Sequence, residues 1–246
     1  MKVWFKNRPI FAPGSRTLLG RRLVWALTAF VVASPLAAAQ QAPPAPAAPL
    51  PRFVVVLDAA HGGDDTGGHF VDGQLEKALT LALSERLRSL LGARGIQVVT
   101  TRESDAAIDP NKRAEIANHV QAQACISLHA TESGSGIHLY ASSLAPTQPT
   151  RFPAWKIAQA AWVTRSIALE GTLNSALLEA GMSVTLGRTS LPAMDSMTCP
   201  AVAVEIAPEL GPDKKVVSAL DDPAYQARVA TALAAALVEW RTEAHP

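Results

Sequence analysis

Cysteine is scarce in this chain: only Cys125 and Cys199 among 246 residues. Two are too few for a disulfide framework and stand too far apart for a zinc knuckle. Structural zinc usually takes four protein ligands, most of them cysteine, so that kind of site is excluded too. Their pairing stays open, since export would permit one disulfide and a buried free thiol equally suits the apolar, strand-like runs around both. Long apolar runs are also lacking. Residues 23–34 (LVWALTAFVVAS) form a run of 12, about 18 Å of helix against a hydrocarbon core of about 30 Å. Internal repeats are absent.

Acidic residues are missing from the first 39 positions, which carry six Lys or Arg. With the apolar run and the small residues Ala37, Ala38 and Ala39, segment 1–39 reads as a signal peptide, and the protein as exported to the periplasm or cell envelope. Extending the run through Pro35 to Ala39 gives 17 residues, which leaves an uncleaved membrane anchor as the alternative. The pair Arg21-Arg22 leaves the general and the twin-arginine export routes both open. Six of the 22 basic residues lie in this segment, so 16 remain against 21 acidic ones and the exported part is near −5. Nucleic-acid binding needs a basic face and is argued against. Residues 40–51 (QQAPPAPAAPLP) hold five prolines and no charge, an extended spacer without a core. Residues 52–246 suit one domain with a sizeable core.

Residues 53–57 form a continuous apolar, β-branched run, the pattern of a strand buried on both faces, and a glycine-rich turn follows at 62–68. A helix is expected over about 76–94, with Leu79, Leu83, Leu87 and Leu90 on one stripe and Gly95 beyond its end. Residues 96–101 read as a second strand. Asp109-Pro110 caps a helix to about 123. Strands follow at 124–128 and 136–141, a long helix over about 157–180 interrupted at Gly171, a strand at 201–206 and a closing helix at 223–240. This alternation predicts an α/β fold, a three-layer domain with a mostly parallel, partly mixed sheet flanked by helices.

His61 and His129 each follow a buried strand, at the sheet edge where ligands bind in open α/β folds. Glu76, in the first turn of the intervening helix, comes from the same loop region. Two His and one Glu make the ligand set of many catalytic zinc sites, which keep a fourth position open for water. The plain alternative is a pair of histidines bonded to loop carbonyls and a glutamate favoured by the helix dipole. Glu205 is the odd residue in the strand AVAVEI: a buried carboxylate needs a cation, a hydrogen-bond network or protonation. It suits a general base beside a metal, or an ion pair with Arg102, Arg113 or Arg188. His69 is a substitute ligand; His119, His138 and His245 are weaker candidates. Trp155 and Trp162 suit helix packing better than sugar stacking.

Together these stretches resemble the zinc-dependent N-acetylmuramoyl-L-alanine amidases of bacterial cell walls, the amidase_3 family. The matching segments are VVLDAAHGGDDTGG (55–68), EKALTLALSERLRSLL (76–91), TRESD (101–105), KRAEIANHVQAQACISLHA (112–130) and PAVAVEIAPE (200–209), in the family's order. The resemblance implies that His61, Glu76 and His129 hold zinc and that Glu205 is catalytic. It implies that 52–246 is a zinc amidase domain acting on peptidoglycan, at the amide between N-acetylmuramic acid and L-alanine of the stem peptide. Asp65 and Arg113 also match family positions and are assigned to loop and helix support. The chain departs from the family at Ala59-Ala60, where Pro-Gly is usual, at Thr66 and Thr131, and over 206–209. No added wall-binding module or occluding helix is evident, so targeting falls to this domain, the spacer or a partner such as an activator protein. The rival readings are a zinc carboxypeptidase acting on the same polymer and a non-catalytic peptidoglycan-binding or regulatory protein that kept the fold.

Overall fold

The computed structural model describes residues 52–71, 73–148 and 154–244; the expected signal peptide and the whole of the spacer lie outside them, as does His245. A six-stranded sheet has the order β2-β1-β3-β6-β4-β5. Its strands are β1 (Val54–Ala59), β2 (Gln97–Thr100), β3 (Ala124–Ala130), β4 (Ile137–Ser142), β5 (Val184–Thr189) and β6 (Ala201–Ile206). Strands β2, β1, β3 and β6 run parallel; β4 is antiparallel to β6 and parallel to β5. Helices α1 (Glu76–Gly92), α2 (Pro110–His119), α3 (Val163–Glu179), α4 (Pro192–Asp195) and α5 (Pro223–Ala244) complete the domain, with a short ribbon of β7 (Glu209–Leu210) and β8 (Val216–Ser218). The three-layer α/β architecture and the mixed sheet are as the sequence pattern predicts.

Side chains alternate across a strand, so each strand feeds two different faces. Val55, Leu57, Ile126, Leu128, Ile137, Leu139, Val202 and Val204 point to the large core under α1, α3 and α5, where Leu79, Leu83, Leu87 and Leu91 of α1 also pack. The opposite face carries Val56, Cys125, Ala201 and Ala203 under α2 and α4. By the same alternation Asp58, Ser127, His129, His138 and Glu205 belong to this second face, where the residues are smaller and the cover is short. That is why a carboxylate is tolerated in an otherwise apolar strand: Glu205 lies at the uncovered end of the thin face, and is only partly buried.

Several boundaries differ from the sequence pattern. The buried stripe of α1 ends on Leu91, with Leu90 only partly buried. Helix α2 stops at His119, four residues early, because Gln121 takes a positive φ of 51°. The expected helix over 157–180 is two segments, a 3-10 stretch Trp155–Ala161 and α3, whereas Gly171 sits inside α3 without breaking it. The break falls at Trp162, whose φ of −112° lies outside the helical range, and buried Gln159 just before it turns its side-chain amide to the carbonyls of Met194, Met197 and Cys199 at 3.0–3.3 Å. Strand β5 has no counterpart in the sequence reading. Cys125 and Cys199 form a disulfide with Cα atoms 6.2 Å apart, joining β3 to the segment that leads into β6.

Candidate metal centre

The parallel strands deliver His61, just beyond β1, and His129 and Glu205, near the ends of β3 and β6, to one edge of the sheet. His61 follows β1 at a φ of 62°, an uncommon left-handed conformation for a residue with a side chain. It is held there by its carbonyl, which accepts from Arg113 Nη2 at 2.7 Å. Glu76 opens α1 and its side chain is 9% exposed. It bridges the two imidazoles: Oε2 lies 3.0 Å from His61 Nε2 and Oε1 3.1 Å from His129 Nδ1. Backbone N–H groups of Gly68 and Ala130 donate to the same two oxygens at 2.9 and 3.2 Å. One donor atom from each of the three residues lies within 4.8 Å of the others, so His61, Glu76 and His129 can hold a metal ion. Gly67 leaves the space: a β-carbon there would stand 2.5 Å from His61 Cδ2 and 2.7 Å from Glu76 Oε2.

The far nitrogen of each imidazole is engaged as well. Asp65 presents both oxygens to His61 Nδ1 at 2.9 Å. On the other ring, His129 Nε2 is 3.3 Å from Ser127 Oγ, which donates to buried Asp58 at 3.1 Å. Asp58 in turn accepts from Thr101 and pairs with buried Arg113, both at 2.7 Å. A serine that donates to a carboxylate offers its lone pair to His129 Nε2–H, which leaves Nδ1 as the free lone pair facing Glu76. Likewise Asp65 accepts from Nδ1–H of His61 and leaves the Nε2 lone pair toward Glu76. Both tautomers therefore suit the donor set, the arrangement commonly found around ligating histidines.

Without an ion between them, the rings instead turn N–H groups toward Glu76, and the charges follow that protonation. Burial pushes the Glu76 carboxyl up, but the bonds to His129, His61, Gly68 and Ala130 outweigh it and hold the group well below the usual carboxylate range. His61 is raised, chiefly by Glu76, against the opposing effect of burial and with help from Asp65. Asp65 is lowered, chiefly by His61.

Glu205 stands beside this set and lines the same cleft of about 390 Å3 with His61, Glu76 and His129. It pairs with none of the three arginines considered from sequence. Arg102 donates to the carbonyls of Ala59, Ala60, Lys77 and Ser104, Arg113 binds Asp58, and Arg188 donates to the carbonyls of Ser142 and Leu144. Its partners are His138 and Tyr140. His69 lines the cleft but bonds Thr66 rather than joining the donor set. His119 ends α2 away from the cleft. Trp155 is 43% exposed, with its indole N–H 3.5 Å from Asn111 Oδ1. Asp58, Ser127 and the His138 contact went unread in the sequence, although the i, i+2 spacing of Ser127 and His129 on one strand was a usable signal for the first pair.

Fold and site thus define an α/β protein with a His/Glu/His donor set and a second carboxylate at the C-terminal edge of its parallel strands. The chain belongs to the Amidase_3 family, N-acetylmuramoyl-L-alanine amidase, whose profile matches residues 55–239. It is 43% identical over 79 residues to the N-acetylmuramoyl-L-alanine amidase AmiA of Escherichia coli K12, covering 32% of this chain and 27% of that protein. It is 35% identical over 96 residues to a germination-specific amidase of Bacillus subtilis, covering 33% and 40%. These matches span well under half of each relative's length. Among solved structures, the CwlV amidase catalytic domain from Bacillus (Paenibacillus) polymyxa aligns at a TM-score of 0.59 and 24% identity over 77% of this chain and 98% of that one. CwlD of Clostridioides difficile, solved in complex with the GerS lipoprotein, aligns at 0.59 and 20% identity over 78% and 100%. These two show a shared fold.

Proposed function

We propose that this protein is a zinc-dependent amidase that hydrolyses the amide between N-acetylmuramic acid and the L-alanine of peptidoglycan stem peptides. The observation that carries the reading is the convergence of His61, Glu76 and His129, with Glu205 beside them in one open cleft. A mixed nitrogen and oxygen donor set without thiolates suits zinc, and three protein ligands are the number that leaves a catalytic position open. When bound, zinc supplies a Lewis acid that activates water and polarises the scissile carbonyl.

The chain's own residues do the rest. His61, Glu76 and His129 would hold the ion, while Asp65 and Ser127 keep the two rings oriented toward its site. Glu205 takes the proton of the attacking water as the new C–O bond forms, and returns it to the L-alanine nitrogen as the C–N bond breaks. Peptidoglycan is the partner, and family membership together with the N-terminal pattern supports an exported, cell-envelope location. An activator protein belongs to the same proposal, since CwlD, of similar fold, assembles with a lipoprotein.

Substitution separates ligand from base. Glu205→Gln should keep stoichiometric zinc and lose turnover, whereas His61→Ala or His129→Ala should lose the metal, read by elemental analysis of the purified proteins. Loss of zinc from Glu205→Gln would contradict the assignment.

A further inference from the structure

His138 and Tyr140 lie two residues apart on β4, so both side chains leave the same face as Glu205. Because β4 is antiparallel to β6, its start meets the end of β6, and His138 stands directly opposite Glu205. On the other side β3 places His129 opposite the same glutamate. His138 Nδ1 lies 3.0 Å from Glu205 Oε2, and the Tyr140 hydroxyl donates to that same oxygen at 3.4 Å. Both contacts converge on one oxygen and neither involves Oε1.

The surroundings are shaped to admit these two rings. A β-carbon on Gly134 would stand 2.6 Å from Cε1 and Nε2 of His138, and one on Gly187, which pairs with Tyr140 across β5, would stand 2.8 Å from its Cδ1 and Cε1. Glycine at both places gives each ring its seat. The His138 side chain is 12% exposed and that of Glu205 29%, so the imidazole is the more sheltered partner and the carboxylate faces the cleft.

A carboxylate that collects a proton from water and passes it to an amine must keep one oxygen within hydrogen-bond reach of both. Left alone at the end of a side chain with three torsions it would sample many orientations, and fixing it in advance removes that loss. We propose that His138 and Tyr140 are positioning residues that clamp Oε2 of Glu205 and leave Oε1 as the oxygen that carries the proton. This rests on the amidase reading above.

The test compares the full chain with His138→Leu, His138→Asn and Tyr140→Phe for release of stem peptides from peptidoglycan, alongside zinc content and melting temperature. In His138→Leu, kcat should fall roughly ten- to a hundredfold, with KM and zinc content unchanged. His138→Asn, which keeps a side-chain N–H donor, should recover much of that loss. Tyr140→Phe removes one hydroxyl with little change of shape and should lower kcat about tenfold, the worth of a hydrogen bond to a charged acceptor. Tyr140→Phe and His138→Asn decide the matter if His138→Leu does not fold. Unchanged kcat in Tyr140→Phe, or His138→Asn no better than His138→Leu, would overturn the clamp while leaving the amidase reading intact. No release by the unmodified chain under any metal loading would overturn that reading, and the clamp with it.

Discussion

Asp65 is two-thirds exposed, yet both its oxygens face His61 Nδ1. Its Oδ1 also accepts from the Gly67 N–H at 3.1 Å, so one side chain orders the loop and orients a ring. From sequence it reads as loop support alone, because nothing in HGGDD says which aspartate turns back to the histidine; Asp64 is an equal candidate. If Asp65 orients His61, Asp65→Ala should lower zinc affinity roughly ten- to a hundredfold with little change in melting temperature, measured by competition with a chromogenic chelator. Unchanged affinity with a lower melting temperature would return it to loop support. The candidate ligands were legible from residue type and from their places after strands or at a helix start. The residues around them and around Glu205 were not, since Asp58, Ser127 and His138 come from strands whose neighbours are set by sheet order, which local pattern does not encode.

At the scale of elements, strands with continuous apolar runs were readable and β5 was not. Its sequence VTLGRT is half exposed and lies at the sheet edge, so neither an apolar run nor a strict alternation marks it. The helix packed under β4 and β5 carries a testable consequence. Glu170 of α3 is buried and its Oε1 has no hydrogen-bond partner. Burial raises its carboxyl, against the opposing backbone amides of Ala141 and Gly187 and the charge of Arg188. A carboxyl raised on folding stabilises below its unfolded value, near 4.5, and that contribution is lost as pH rises through the folded value. Glu170→Gln, which does not ionise, should therefore melt at a higher temperature than the parent near pH 7 or 8, with the difference shrinking toward pH 4. A difference independent of pH would mean the group is not held neutral by the fold.

For the whole molecule, the disulfide and the candidate metal centre each join distant parts of the sequence. Cys125 and Cys199 close a loop across 74 positions, and lie on the strands or their approaches that carry His129 and Glu205. Chain-entropy reasoning gives such a cross-link about 4 kcal/mol, so the Cys125→Ala, Cys199→Ala double variant should unfold at distinctly lower denaturant than the oxidised parent. Equal midpoints would show that the bond adds nothing to stability. Collinear family segments made the fold and the centre readable together, whereas the peptide-binding surface, where Ala59-Ala60 and 206–209 depart from the family, was not. The amidase reading is tested most directly by mass spectrometry of the products released from purified peptidoglycan by the zinc-loaded protein, after chelation and after zinc is restored. If the protein is that amidase, the products are stem peptides with a free N-terminal L-alanine, lost on chelation and regained with zinc. Products cut elsewhere in the peptide, or release indifferent to the chelator, would contradict it.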